Sequence, residues 1–320
     1  MSRGGVTRVG FPAMGTTCEV TVVGGRPALL GRARDRVEQL EARWSRFRQD
    51  SEISRLNRRS GFPTALSADS YLLVDHAVAG WRLTGGRYDP TVLAAITAAG
   101  YDRSFELLSA GPEGGGESRV DDRALPGPAP GCGDVLLDPH LQAVTCPVGV
   151  GIDPGGIGKG LACDLVAGEL RDAGAAGVCV NLGGDGRVSG EPPLAGWRIG
   201  VANPYDEEVL LGVVTLTDHG IATSSRLLRR WSVGGAERHH LLDPRTGRSV
   251  DNAVDTVTVV AGDAWVAEVL SKAAFVAGPG PGSDLLNRVG VAGMFVEGPD
   301  RVHATAGFVD LLADQPFAVR

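Results

Sequence analysis

The segment Ile152-Asp-Pro-Gly-Gly-Ile-Gly-Lys-Gly160 is the most informative motif of this 320-residue sequence for its fold. We expect it to follow a strand directly and to open a helix over about 159–173. Free N–H groups at a helix N-terminus, glycines that permit close backbone approach, and a lysine together suit an anionic diphosphate. The alternative is a tight turn with a solvated lysine. The spacing fits neither G-x-x-x-x-G-K-[ST] nor G-x-G-x-x-G, which argues against P-loop and Rossmann sites.

Outward from this segment, hydrophobic periodicity predicts groups of helices separated by runs of strands. The predicted helices cover about 27–44, 68–83, 264–276 and 283–288. The predicted strands cover 17–23, 134–137, 143–146, 177–182, 197–201, 210–216, 256–260, 293–296 and 302–304. Because the helices fall in separate groups, we predict an α+β fold rather than a doubly wound sheet. Residues 111–133, rich in Gly, Pro and charge, are predicted to form a flexible surface loop.

Composition excludes several classes of protein. A net charge of −7 argues against a nucleic-acid partner. The five cysteines are odd in number and include no C-x-x-C pair, so we expect neither a zinc site nor a disulfide framework. No apolar run reaches the roughly 18 residues that span a bilayer. The basic N-terminus lacks the apolar core of a signal peptide, so a cytoplasmic location is expected.

Two further motifs carry candidate chemistry. Asn181-Leu-Gly-Gly-Asp185 ends a predicted strand, and its glycines either share a ligand crevice with the first segment or form a hairpin turn. In His239-His-Leu-Leu-Asp243, followed by Pro-Arg-Thr-Gly247, a histidine precedes an aspartate by three residues. Such a histidine can take a proton from an attacking hydroxyl, although a lone histidine is more often structural.

Taken together and in order, the motifs resemble the FAD:protein FMN transferases, the ApbE family. The resemblance covers nearly the whole chain. The matching segments are Phe11-Pro-Ala-Met14-Gly-Thr16, Trp44-Ser-Arg-Phe47, Ser51-Glu-Ile-Ser-Arg-Leu-Asn57, Gly86-Arg-Tyr88-Asp89-Pro90-Thr91, Asp153 to Asp164, Asn181 to Asp185, Ala222-Thr223-Ser224, His240 to Gly247 and Ala267-Glu268-Val-Leu-Ser-Lys272.

The resemblance implies one α+β, T-fold-like domain over residues 1–320, with FAD held extended in a cleft. It places a set of side chains and backbone groups on FAD: Met14, Phe47, Arg87, Tyr88, Asp89, Asp153, Lys159, Asn181, Gly183, Gly184 and Ser224. Phe47 stands where the family usually has tyrosine, so ring stacking is kept while a hydroxyl contact is lost.

The resemblance also implies a reaction. A Ser or Thr hydroxyl of an acceptor flavoprotein, in a Ser/Thr-Gly-Ala-Thr-like segment, attacks the FMN phosphorus of FAD, and AMP leaves. His240, with Asp243, would activate the hydroxyl, and Mg²⁺ would neutralise the oxygens that gain charge. Two alternatives remain open: hydrolysis of FAD to FMN and AMP in the same site, and a catalytically weak FAD-binding protein.

The implied metal site departs from the family pattern. The family positions for magnesium fall on Gly158, Glu268 and Lys272, where the last two are usually Asp and Thr. Glutamate can ligate Mg²⁺ through oxygen, but an ammonium has no lone pair to donate. Lys272 either forms a simple i,i+4 ion pair with Glu268 or supplies positive charge in place of the metal. Ser225, where the family usually has glycine, is expected to narrow the cleft.

Overall fold

The computed structural model describes residues 5–109, 127–233 and 235–313. The helices of this part are α1 (Ala28–Trp44), α2 (Glu52–Arg58), α3 (Ala68–Leu83), α4 (Leu93–Ala98), α5 (Phe105–Ser109), α6 (Gly158–Asp172), α7 (Ala264–Ala277), α8 (Pro279–Val289) and α9 (Ala306–Val309). Its strands are β1 (Val6–Ala13), β2 (Thr16–Val23), β3 (Thr64–Ala65), β4 (Leu136–Asp138), β5 (Ala143–Thr145), β6 (Gly177–Leu182), β7 (Asp185–Gly190), β8 (Trp197–Asn203), β9 (Asp206–Leu216), β10 (His219–Ser225), β11 (Arg230–Val233), β12 (Ala236–His239), β13 (Leu242–Asp243), β14 (Arg248–Ser249), β15 (Thr256–Ala261), β16 (Ala292–Val296) and β17 (Val302–Ala304).

Helices and antiparallel sheets confirm the α+β prediction, and α3 has the predicted bounds. The expectation that the glycine segment follows a strand directly is wrong. Strand β5 ends at Thr145, and a 3₁₀ turn over Pro154–Gly156 precedes α6. Pro147 lacks the N–H that a continuing strand would need. Of the predicted loop at 111–133, residues 111–126 lie outside the described residues, and residues 127–133 form neither helix nor strand.

The chain divides into two compact units. The first comprises Met1–Gln39, Ile157–Ser224 and Ala253–Arg320. Its main sheet has the strand order β1-β2-β6-β7-β10-β15-β16-β17. One group of sheet residues, including Val188 and Ile221, packs with Trp197 and Val214 of the β8–β9 hairpin in an apolar core. Helices α6 and α7 pack against each other and against sheet strands. Packing against the sheet therefore fixes the positions of α6 and α7.

The crossing of α6 and α7 depends on Gly160. A Cβ at this position would lie 2.5 Å from the Ala264 backbone oxygen, closer than real Cβ contacts allow. Helix α7 is apolar over most of its surface, as expected for a buried helix, and Glu268 within it is fully buried. The close crossing brings the first turn of α6 next to this carboxylate.

Asp164 on α6 caps the N-terminus of α7. Its carboxylate accepts hydrogen bonds from the backbone N–H groups of Ala264 and Trp265, each at 2.9 Å. Asp263, the N-cap residue of α7 itself, makes no side-chain capping bond. Burial raises the pKa of the Asp164 carboxyl to about 7, although the hydrogen bonds from the two N–H groups act to lower it.

We expect Asp164→Ala to lower the free energy of unfolding by about 1–2 kcal/mol, because two N–H groups at the start of α7 lose their acceptor. Asp263→Ala is the matched control and should change it by less than about 0.5 kcal/mol. Urea unfolding of both variants measures the difference. Equal losses in the two variants would show that Asp164 does not serve as the cap.

The second unit comprises Leu40–Gly156 and Ser225–Asn252. It contains the three-stranded sheet β3-β5-β4 and the hairpins β11–β12 and β13–β14. Its apolar cluster includes Ile96, Tyr101 and Trp231, and the Trp231 indole donates to the Ala99 carbonyl at 2.8 Å. Within the described residues, no helix has the length and apolar character needed to cross a bilayer.

Candidate functional site

Two tight hairpin turns lie at one end of the main sheet of the first unit. Met14 and Gly15 join β1 to β2, and Gly183 and Gly184 join β6 to β7. The Gly183 N–H donates to the Thr17 carbonyl at 3.1 Å, which places the two turns side by side. The hairpin interpretation of the Gly183-Gly184 pair is therefore confirmed.

Both turns require unusual backbone. Gly183 and Gly184 have φ values of 67° and 96°, and a Cβ on Gly183 would lie 2.2 Å from Thr16 Oγ1. Met14 has a φ of 53° despite its side chain, a conformation that costs about 1–2 kcal/mol for a residue other than glycine. Strain of this kind concentrates at functional sites. It marks Met14 as a residue held in place by its hairpin.

A cluster of four charged side chains lies between α6, β7 and α7. Lys159 forms an ion pair with Asp185, and its Nζ lies 3.8 Å from Glu268 Oε1. Lys272 Nζ donates to the same Glu268 oxygen at 3.1 Å, so the i,i+4 ion pair is formed. Glu268 Oε2 accepts the Gly160 N–H at 2.8 Å. Two ammonium groups thus share two carboxylates.

Burial and charge act in opposite directions on these carboxyls. Burial opposes ionisation of Glu268, but the charges of Lys272 and Lys159, with the Gly160 N–H, hold its pKa below the ordinary value. Burial raises the pKa of Asp185 against the opposing charge of Lys159. Glu268 is therefore a carboxylate stabilised by the lysines.

The end of β10 contacts the cluster through one backbone N–H group and one hydroxyl group. The Thr223 N–H donates to Asp185 Oδ1 at 3.2 Å. Ser224 Oγ and Ser271 Oγ lie 2.8 Å apart, and Ser271 donates to the Glu268 carbonyl. Ser224, predicted to contact FAD, is thus tied to α7 one residue before Lys272.

In the second unit, Asp153 and Asn57 fix the first half of the glycine segment. Asp153 Oδ1 accepts the Gly155 N–H at 2.8 Å and lies 3.6 Å from Arg46 Nε. The Asn57 amide donates to the Ile152 carbonyl and accepts the Ile152 N–H. These side chains therefore satisfy backbone groups that would be paired with a neighbouring strand if the segment were part of a sheet.

An arginine and two aromatic rings form a cation–π group in the second unit. The Arg46 guanidinium lies 4.2 Å from the Phe47 ring centre and 4.8 Å from that of Tyr101. The two rings are 5.6 Å apart, and Tyr101 contacts Trp231. Phe47 is 37% exposed, so one ring of the group is available to a planar ligand.

Tyr88 and Asp89 are buried, whereas Arg87 is exposed. Asp89 Oδ1 accepts the Thr91 N–H at 2.8 Å and the Thr91 hydroxyl at 2.6 Å, so it caps the 3₁₀ turn over Pro90–Val92. Burial raises the pKa of Asp89. Of this predicted segment, Arg87 is the side chain exposed to solvent.

His240 follows β12 and is half-buried, and its backbone N–H donates to the Arg229 carbonyl at 3.3 Å. Asp243 on β13 pairs with the Arg245 guanidinium, and its backbone oxygen accepts the Gly247 N–H. The Arg245 bonds lower the pKa of Asp243 despite the opposing effect of partial burial. Asp243 therefore stabilises the turn that follows His240 and β13.

Comparison with known proteins gives the same assignment as the motifs. The model of the ApbE family matches residues 14–295, most of the chain. The chain belongs to the ApbE family. It is 29% identical to the FAD:protein FMN transferase of Treponema pallidum, over 93% of this chain and 86% of that protein.

Solved ApbE structures share the fold. The ApbE protein of Thermotoga maritima, 23% identical, superposes with a TM-score of 0.80 over 97% of this chain and 100% of that one. The flavinyl transferase ApbE of Pseudomonas stutzeri, 26% identical, gives a TM-score of 0.78 over 98% of each chain. The α+β fold is therefore that of the ApbE family.

The magnesium site implied for an ApbE protein does not fit the residues present. Both Glu268 oxygens already accept hydrogen bonds, from Gly160 and Lys272, and the Lys272 ammonium cannot ligate. Mg²⁺ demands a near-octahedral set of oxygens. In the described part of the chain, no group of three or more His, Cys, Asp or Glu side chains could hold a metal ion. Glu268 and Lys272 thus form an ion pair rather than a pair of oxygen ligands.

Two residues of this ApbE chain escaped the sequence-based site prediction. Asp185 ends the Asn181 motif, but its contact with Lys159 joins elements far apart in sequence. Arg46 stands inside the Trp44-Ser-Arg-Phe47 motif, and only the structure shows it stacked on Phe47. The motifs contained both residues but gave no signal that separated them from their neighbours.

Proposed function

We propose that this ApbE-family chain transfers the FMN half of FAD to a Ser or Thr hydroxyl of an acceptor flavoprotein and releases AMP. One observation carries the proposal: the N-terminal turn of α6, the Gly183-Gly184 turn and the two lysines of the cluster meet at one end of the first unit's sheet. Relatives named FAD:protein FMN transferase support the same reaction.

The first unit offers a diphosphate site. Gly158 and Lys159 begin α6, whose first turn contains no acidic residue, so their N–H groups and the helix dipole favour an anion. Lys159 adds an ammonium. The Asn181 side chain accepts the Gly184 N–H at 2.9 Å and fixes the neighbouring turn.

The second unit offers groups for the flavin and for the acceptor. We assign the exposed Phe47 ring and the Arg87 side chain to the isoalloxazine, and His240 to the acceptor hydroxyl. The acceptor oxygen forms a bond to the FMN phosphorus while the bond from that phosphorus to the AMP oxygen breaks. The hydroxyl proton passes to His240, and AMP departs with the bonding electron pair. The acceptor segment is proposed to resemble Ser/Thr-Gly-Ala-Thr.

We expect FAD to bind at least about 10-fold more tightly than FMN, because only FAD presents a diphosphate to α6 and Lys159. Calorimetric titration of the two nucleotides measures this ratio. Lys159→Met should reduce the affinity for FAD more than the affinity for FMN. Equal affinities of the unaltered chain for FAD and FMN would contradict both the diphosphate site and the proposed function.

A further inference from the structure

The sequence contains only two lysines, Lys159 and Lys272, whereas its other 29 basic residues are arginines. Both lysines belong to the same charged cluster in the first unit, one from the start of α6 and the other from α7. They approach the same oxygen, Glu268 Oε1, at 3.8 and 3.1 Å. Lysine therefore occurs only at the two positions whose side chains approach the same carboxylate, and all 29 remaining Lys or Arg positions carry arginine.

The difference between the two side chains explains this choice. An arginine guanidinium is a broad planar fork that suits bidentate pairing, whereas a lysine ammonium is a compact point charge with three N–H donors. Two ammonium groups can share Glu268 in the space between two closely packed helices. A compact cation with several donors resembles a small metal ion in charge density far more than a guanidinium does.

The cluster is layered. The side chains of Glu268 and Asp185 are 0% and 2% exposed, whereas those of Lys272 and Lys159 are 17% and 19% exposed. An anion that approaches from solvent therefore meets ammonium groups first, with the carboxylates beneath them. The described hydrogen bonds of Lys272 use one of its three donors, on Glu268. The remaining donors are available to an oxygen ligand.

We propose that the Lys272 ammonium, anchored by Glu268, takes the place of a divalent cation in this site, so that the chain binds the FAD diphosphate without a metal ion. The inference rests on the proposed function in one respect, namely that the diphosphate lies at this cluster. Glu268 then acts as the anchor of Lys272 rather than as a metal ligand. Lys272 is a binding residue that faces the charge developing on the phosphate oxygens.

The test is FAD affinity, measured by calorimetry in EDTA and again with added Mg²⁺. The unaltered chain should give the same affinity in both. Lys272→Met should weaken FAD binding about 10-fold or more in both, because a charge-assisted contact is lost. Lys272→Thr should show the same loss in EDTA and recover with Mg²⁺, since Glu268 and a threonine oxygen can then ligate the ion.

Arg34→Met is the matched control, because Arg34 forms an i,i+4 pair with Glu38 on α1. It should keep the unaltered affinity in both buffers. Thermal unfolding without ligand identifies a variant that fails to fold, and Lys272→Thr carries the test if Lys272→Met does so. An unaltered chain that loses FAD in EDTA and regains it with Mg²⁺ would overturn the inference and leave the proposed function standing. Absence of FAD binding in both buffers would overturn the proposed function and the inference together.

Discussion

Replacing His240 with alanine is expected to slow FMN transfer by about 10²-fold or more while FAD affinity stays near that of the unaltered chain. The reason is that the imidazole is assigned to the proton of the acceptor hydroxyl and not to FAD. His240 follows β12 and precedes the turn that Asp243 and Arg245 stabilise. Single-turnover transfer and calorimetry on the same protein separate the two effects.

His239 provides the matched control. Its Nε2 hydrogen bonds to the Val250 carbonyl at 3.0 Å, and burial lowers its pKa, so it serves the packing of the hairpin as a neutral ring. His239→Gln is expected to transfer FMN at close to the unaltered rate. If His240→Ala retains the parental rate, or if His239→Gln loses as much, the assignment of the base to His240 is wrong.

Replacing Lys159 with methionine should cost about 3–5 kcal/mol of folding free energy, since the buried carboxylate of Asp185 loses its ion-pair partner. FAD binding should fall below detection in the same variant, because the ammonium at the start of α6 is also gone. Urea unfolding and calorimetry measure the two losses separately.

A double variant distinguishes the two roles of Lys159. Lys159→Met with Asp185→Asn removes both charges, so most of the lost stability should return. FAD binding should stay lost, because neutralising Asp185 restores no cation. Recovery of both properties in the double variant would show that Lys159 is a structural partner of Asp185 and does not contact FAD.

Hydrophobic periodicity predicted the elements whose apolar pattern is strong. The bounds of α3 and β6 agree with the predictions because each carries a regular set of buried residues. Strand β7, with the sequence Asp-Gly-Arg-Val-Ser-Gly, was missed because only Val188 in it is a large apolar residue. Strand β1 was missed as well, since Gly10 and Pro12 are unfavourable in strands. Both segments form strands because they pair with neighbouring strands of the sheet.

The candidate site was only partly visible in the sequence. The i,i+4 spacing predicted the Glu268–Lys272 pair, since that contact is local. The contact of Lys159 with Asp185 and Glu268 depends on the packing of α6, β7 and α7, so no local pattern predicts it. For the same reason, the sequence left open whether Lys272 is a surface ion pair or part of a site.

Transfer of FMN to a protein hydroxyl is tested most directly by the intact mass of an acceptor. A carrier protein with an appended Ser-Gly-Ala-Thr segment is incubated with the chain, FAD and Mg²⁺, beside a twin carrying Ala-Gly-Ala-Val. We expect the first carrier to gain the mass of one FMN less one water, with AMP released in equal amount, and the twin to gain nothing. An unmodified carrier accompanied by free FMN would contradict transfer and indicate an FAD hydrolase. Unchanged FAD would indicate a protein that only binds the nucleotide.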